Sequence, residues 1–369
     1  MRFPTFVVYF LLGLAADFYI WNPVAFVPTL VILLCLPFIG SGRRYTDAVR
    51  TFSYVYFIFE LPKVLFALLS LILRYLAGLR FPLADGIAAS VGAGVGVFFA
   101  VMIFYVSRHL LVNRLELEFE GLPEGFDGLR FCQLSDFHLG SYGRKCRYVT
   151  RIIDTTLELS PELILFTGDL VNFDIAETDT YMEELARLNA PMGIFAIRGN
   201  HDYLLHGPLA EPERIAATER LNELERGLGW RVLLNENVTL ERGGSTIALA
   251  GVENISSNPF FAKMGGDLGK AMEGIAPGTF TILLSHDPSH WGKDVASRGD
   301  IALTLSGHTH GLKYKLAGFR PSHWRLPFHQ GVFTEGASVL HVSGGLGSAF
   351  AFRLGGYPRI DLITLKKKL

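Results

Sequence analysis

Hydrophobic positions change their rhythm once along this chain. As far as about Leu111 they run in long, nearly unbroken blocks. Beyond it they come in short runs separated by polar turns. The blocks predict four membrane spans, at Phe6–Ile20, Val24–Ile39, Phe52–Leu76 and Ile87–Leu111. The first two are short for a hydrocarbon core of roughly 30 Å. Trp21-Asn22-Pro23 between them is a natural turn with an interfacial aromatic, so a tight helical hairpin is expected. The alternative, a signal peptide cleaved near Ala15, is disfavoured because apolar segments continue far past that point.

In the second regime, Leu115, Leu117 and Phe119 alternate with Glu116, Glu118 and Glu120, the pattern of a half-buried strand. Further strands are expected at Leu129–Gln133, Leu163–Phe166, Gly193–Arg198, Arg231–Leu234, Val238–Leu240 and Ile247–Ala250. Four more follow at Phe280–Leu284, Ile301–Leu305, Val339–Val342 and Ile360–Leu365. Helical patterns cover Arg144–Leu159, Thr178–Leu188 and Glu213–Arg226. Strands alternating with helices, then a strand-rich second half, predict an α/β sandwich with helices covering two packed sheets. The chain thus divides at residues 1–112, a transmembrane region of about four helices, and 113–369, a soluble domain.

Composition agrees with a membrane part. Half of the residues are hydrophobic, 19% are charged, and the mean hydropathy is +0.31. Net charge is -1, which excludes the strongly basic balance of a nucleic-acid binder. The positive-inside rule sets Arg2, Arg43, Arg44, Arg50, Arg108 and Arg114 on one side and Arg74 and Arg80 on the other. With four spans, the termini and the soluble domain are cytoplasmic; a miscounted span would reverse this. Cys35, Cys132 and Cys146 have no metal-clip spacing and imply no disulfide framework, which favours a reducing compartment. Within the spans, Glu60 and Lys63 stand one helical turn apart and are read as a packing pair, and Asp17 as an interfacial anchor. Gly92, Gly94 and Gly96 suit close helix packing.

The candidate chemistry lies at strand ends. Asp136 and His138 sit two apart, so an extended backbone points both side chains the same way. Asp169 follows the next strand, Asn200 and His201 the one after, then His286, and finally His308 and His310. Open α/β sheets gather ligands at the carboxyl ends of their strands, so these residues are expected in one crevice. Carboxylates, an amide and imidazoles together make a divalent-metal donor set.

The set D-F-H, G-D, G-N-H-D, H, G-H-T-H resembles the calcineurin-like metallophosphoesterase family over roughly residues 130–345. The resemblance implies a four-layer α/β/β/α sandwich and two divalent ions, with Mn, Fe, Zn and Co all suited to the donors. One ion would take Asp136, His138, Asp169 and His310. The other would take Asp169, Asn200, His286 and His308, with Asp169 bridging. His201 matches the family histidine beside the substrate and would be catalytic rather than a metal ligand. Asp202 and Asn172 are candidates for support behind the ligands. The implied activity is phosphoester hydrolysis. With the spans, it points to a phospholipid or lipid-linked nucleotide as substrate; some family members cleave the pyrophosphate of UDP-2,3-diacylglucosamine. The contrasting expectation is a non-catalytic membrane protein with a structural dimetal site. The chain departs from common family patterns after His310. Leu312-Lys313-Tyr314-Lys315 and then Phe319, Arg320, Trp324, Arg325, Leu326 and Phe328 either hold a lipid headgroup or pack on their own domain. Lys366-Lys367-Lys368 reads as a solvated end.

Overall fold

The computed structural model describes residues 3–41, 44–143, 146–258, 264–310, 327–349, 353 and 356–368. The chain separates into a helical unit, chiefly Met1–Arg108, and an α/β unit, chiefly His109–Leu205 and Leu209–Ala349.

In the helical unit, α1 (Phe3–Ile20) and α2 (Phe26–Ser41) flank a single 3-10 turn at Pro23–Ala25, whose first N–H is capped by the Asn22 side chain. This is the expected hairpin. The third span is one long helix, α3 (Tyr45–Val55) continuing through a π turn at Tyr56–Glu60 into α4 (Leu61–Tyr75). Pro62 has no N–H to give to the preceding turn, and the π turn absorbs that gap. The fourth, α5 (Phe81–Phe104), stops short of the predicted end at Leu111, because Leu111 already belongs to a strand. Three of these helices are long and apolar enough to cross a membrane; the second is shorter. A Cβ on Gly92 or Gly96 would lie 2.9 Å from the carbonyl of Pro62 or Ile58, so these two glycines let α5 approach its neighbour. Gly94 faces open space and has no such role.

Asp17 is not an interfacial anchor. Its carboxylate is buried and lies 2.5 Å from Lys63 Nζ, which also sits 2.8 Å from Glu60. Thr29 joins both carboxylates, at 2.6 Å from Asp17 and 2.9 Å from Glu60. The Asp17–Lys63 ion pair joins α1 to α4, a contact that spacing along one helix cannot show.

The α/β unit contains two six-stranded sheets. The first is built from β1 (Leu111–Phe119), β2 (Arg130–Leu134), β3 (Leu163–Phe166), β4 (Ile194–Ala196), β5 (Arg231–Val232) and β12 (Arg359–Lys367). Their order is β1-β12-β2-β3-β4-β5, with only the β12–β2 pair antiparallel. The second comprises β6 (Glu236–Arg242), β7 (Ser245–Gly251), β8 (Thr281–Leu284), β9 (Leu303–Ser306), β10 (Gly331–Glu335) and β11 (Ser338–Val342). Its order is β10-β11-β9-β8-β7-β6, parallel through the centre and antiparallel at both edges. The β10 edge strand escaped the sequence reading because it is short and mostly exposed.

Leu117, Phe131, Leu163, Leu165 and Phe195 of the first sheet meet Leu240, Leu249, Ile282, Leu303 and Leu305 of the second in one dry core. The alternate residues of the first sheet, Leu134, Ile164, Phe166 and Ala196, pack under α6 (Arg147–Glu158) and α8 (Glu211–Gly227). Outside the second sheet the cover is thin: α9 (Leu268–Ala271) and a π turn at Trp291–Val295 lie over Ala250, Leu283 and Leu340. The fold is the four-layer α/β/β/α sandwich. The predicted helix at Thr178–Leu188 reduces to one turn, α7 (Met182–Leu185), after a 3-10 turn at Ile175–Glu177. Just before that stretch, Glu177 caps the backbone N–H groups of Asn172, Phe173 and Asp174.

Candidate metal centre

Asp136, His138, Asp169, Asn200, His201, His286, His308 and His310 all follow the carboxyl ends of β2, β3, β4, β8 and β9. The structure brings the aspartates and histidines among them together. Ligand atoms within 4.8 Å of one another link Asp136 with His138 and His310, His138 with Asp169 and His201, and Asp169 with His286 and His308. Asp169 belongs to two of these groups. Its Oδ2 is 3.4 Å from His138 Nε2 and 3.2 Å from His286 Nε2.

The expected cause of convergence at Asp136 and His138 needs correction. Neither residue is extended. Asp136 has φ 53° and His138 φ 49°, both left-handed. Asp169 at 61°, His308 at 69° and His310 at 49° share that conformation. Half of the ten described non-glycine residues with positive φ therefore sit in this one cluster. Such backbone costs on the order of 1 kcal/mol or more per residue and survives where surrounding contacts over-determine it, typically at functional sites. After β2, β3 and β9 a left-handed step turns the side chain sharply over the sheet's end.

Those surrounding contacts are visible. The Asp202 carboxylate accepts backbone N–H bonds from Asp169, Leu170 and Gly199 at 2.7–2.8 Å, and so ties the loops after β3 and β4 together. The Asp136 carboxylate accepts the His308 N–H at 3.0 Å, tying β2 to β9 across the two sheets. Gly199 leaves room for Asp169, since a Cβ there would stand 2.2 Å from its Oδ1. His286 donates from Nδ1 to the Thr167 carbonyl at 2.6 Å, which turns Nε2 to the centre. His201 likewise donates from Nδ1 to the Asn172 carbonyl at 2.9 Å. The Asn172 backbone, rather than its side chain, does the orienting; its side-chain amide donates to Ser141.

The donors fit cations. Asn200 Oδ1, Asp169 Oδ2, His138 Nε2 and His286 Nε2 are buried without a hydrogen bond, which is costly unless something else satisfies them. Charge says the same. Burial favours the neutral form of His286, but the Asp169 carboxylate beside it prevails and holds the imidazole protonated, up to about 10. Burial works against ionisation of Asp169, yet His286, His201 and His138 keep its carboxyl well below the usual range. Burial pushes His138 far towards the neutral form, the form that ligates metal. Burial and the Asp169 charge lift Asp202 to about 6 against its N–H donors.

A sequence model of the calcineurin-like phosphoesterase family matches residues 129–312, the stretch that carries every one of these residues. The chain belongs to that family. Among its relatives, the transmembrane protein with metallophosphoesterase domain of Danio rerio is 32% identical over 53% of this chain and 43% of its own length. The uncharacterized metallophosphoesterase YkuE of Bacillus subtilis is 29% identical over 79% of this chain and 96% of its own. The UDP-2,3-diacylglucosamine pyrophosphatase LpxG of Chlamydia muridarum is 29% identical over 58% and 75%. The match spans less than half of the vertebrate relative. This phosphoesterase-family chain is, in addition, a membrane protein by its apolar helices.

Two acidic residues at the site went unread in the sequence. Glu177 accepts N–H bonds from Gly140, Asn172 and Phe173, and so fixes the loop whose carbonyl holds His201. Its signal was present as the capping box Asp174-x-x-Glu177. Asp287 lies 3.7 Å from His308 Nε2 and accepts from Ser256; nothing but its place after His286 marked it. The basic aromatic stretch at 312–326 lies outside the described residues. Phe328 packs on Trp291 and Phe333 of its own unit. Lys367 and Lys368 pair with Glu124 and Glu120 at the surface.

Proposed function

We propose that this protein is a multi-pass, membrane-anchored phosphoesterase that hydrolyses phosphoester bonds with two divalent ions. Asp136, His138, Asp169 and His310 would hold one ion, and Asp169, Asn200, His286 and His308 the other. The observation that carries the reading is Asp169 Oδ2, within 3.4 Å of imidazoles from both groups. Two dications held so would clamp a phosphate, neutralise its charge and activate a water.

The chain's own residues do the rest. Asp169 and Asp136 supply the negative charge that keeps the imidazole donors in place. His201, fixed by Asn172 with its Nε2 turned from that bond, stands beside His138 with ring centroids 4.8 Å apart. There it donates a proton to the departing alkoxide or steadies charge on the phosphate. A purely structural dimetal site has no use for a histidine so oriented.

The four-helix reading places the α/β unit on the cytoplasmic side. At about 1.5 Å per residue, α2 alone spans roughly 24 Å, and its preceding 3-10 turn adds to that. A membrane tether concentrates the site near lipid-borne phosphates. Phospholipids and lipid-linked nucleotides are therefore the favoured substrates, and the LpxG relative supports a UDP-2,3-diacylglucosamine-type pyrophosphate as one of them.

The test is product release from bis-p-nitrophenyl phosphate and p-nitrophenyl phosphate by detergent-solubilised protein with Mn, set against Asp169→Asn. Activity lost in the variant supports the reading. Equal activity in both, or none in the wild type with two ions bound, overturns it.

A further inference from the structure

A cleft of about 680 Å³ opens directly beside His308 and Asp287. Its walls are built rather than incidental. Asp287 accepts the Ser256 hydroxyl at 2.5 Å and the Ser289 N–H at 2.8 Å, and Ser257 N–H donates to the Ser289 hydroxyl at 2.9 Å. These bonds lock the loop after β7 to the turn after β8. On the far wall Phe328 lies across Gly292, where a Cβ would come within 2.4 Å of the ring. Trp291 supports that ring edge-on at 5.2 Å.

The cleft's charge is asymmetric. Asp287 is engaged with Ser256, Ser289 and His308 and faces the metal-centre side. Lys293 is the one lysine or arginine among the described lining residues. Its only described ion-pair contact is 3.9 Å from Asp294, and its side chain is 66% exposed. Ser257 and Asn258 add polar groups to the wall, and Phe328 an aromatic face.

Resting on the phosphoesterase reading, the geometry points to this cleft as the site for the leaving half of a pyrophosphate diester, with Lys293 pairing its second phosphate. A substrate with one phosphorus reacts at the centre without using Lys293. A pyrophosphate reaches from the centre past His308 into the cleft. Water adds to the phosphorus at the centre and the bond to the bridging oxygen breaks. That oxygen leaves on the second phosphate, which departs as a monoester beside the lysine. The released proton goes to solvent. Polar walls and an aromatic face suit a sugar or nucleotide on that half.

The experiment compares Lys293→Glu, Lys293→Ala and Lys293→Arg in the full-length detergent-solubilised protein with Mn. The substrates are bis-p-nitrophenyl phosphate, UDP-glucose and CDP-diacylglycerol in mixed micelles. The expected result is a KM for the pyrophosphate substrates raised about tenfold in Lys293→Glu, less in Lys293→Ala and little in Lys293→Arg. Turnover of bis-p-nitrophenyl phosphate stays unchanged in all three. A response to UDP-glucose and CDP-diacylglycerol alike assigns the cleft to the pyrophosphate itself; a response to the lipid alone assigns it to a lipid-borne pyrophosphate. Wild-type turnover of bis-p-nitrophenyl phosphate but of neither pyrophosphate overturns the inference while leaving the phosphoesterase reading intact. So does a Lys293→Glu effect equal on all three substrates. Loss of every activity in the wild type overturns the reading itself.

Discussion

His201 donates its Nδ1 proton to the backbone carbonyl of Asn172 at 2.9 Å. That bond holds Nδ1 protonated, so the proposed proton donation from Nε2 requires the doubly protonated imidazolium form. Replacing His201 by Ala should therefore cost about 10²–10⁴ in kcat/KM for esters with alkyl leaving groups, and much less for p-nitrophenyl esters, whose leaving group needs no proton. A plot of kcat/KM against leaving-group pKa checks this; a variant with the wild-type slope would remove the proton-donor role.

Glu177 acts through the same loop. Its carboxylate gathers N–H groups of Gly140, Asn172 and Phe173. Glu177→Ala is expected to reproduce a weaker form of the His201→Ala profile, steeper for poor leaving groups, while two ions stay bound. Glu177→Gln should recover most of the loss. A uniform decline on every substrate, with metal lost, would instead mark Glu177 as a general support of the fold.

Gly199 tests the close approach behind Asp169. A Cβ there would sit 2.2 Å from Asp169 Oδ1. Gly199→Ala should displace the carboxylate, destabilise the α/β unit by about 1–3 kcal/mol and lower its metal content. Thermal unfolding and metal analysis read the two effects separately; wild-type values in both would show that the loop yields without cost.

Glu225 lies buried on α8, where desolvation first and the Asp202 charge second push its carboxyl well above the usual range of 4.5. The folded state thus binds this proton more tightly than the unfolded state does. Stability from this group is present below about pH 4.5 and is lost as pH rises through the folded value. Glu225→Gln should raise Tm at pH 8 and give no gain at pH 4. A gain that grows on acidification would have the wrong sign.

Lys63 is the sole cation among the described residues of the Asp17, Thr29 and Glu60 cluster. Lys63→Met strands two carboxylates in the helical unit. Breaking a buried ion pair from one side costs about 3–5 kcal/mol, so the variant should lose yield and thermal stability in detergent. An unchanged melting profile would mean that the cluster is solvated.

Much of this molecule could be read from residue order. Each of the central strands β3, β8 and β9 is a short, largely apolar run with a turn after it, because a strand buried on both faces admits few polar residues, here Thr281, Thr304 and Ser306. The edge strand β10 and the shortened helix at α7 could not be read so. One is a short, mostly exposed edge strand, and the other follows a 3-10 turn and keeps only one α-helical turn.

The donor types and their places after strands were determined by the sequence alone, since metal chemistry restricts them to few side chains. So were the apolar spans, since hydrocarbon admits little else. Only the tertiary structure decided how the donors meet. Left-handed turns at Asp136, His138, Asp169, His308 and His310 aim them, and such strained backbone is held by bonds from distant loops such as Asp202 to Leu170 and Asp136 to His308. It also decided that Asp17 meets Lys63 across two helices, and that a walled cleft lies beside His308. Contacts between residues far apart in the chain depend on packing, which local pattern does not encode.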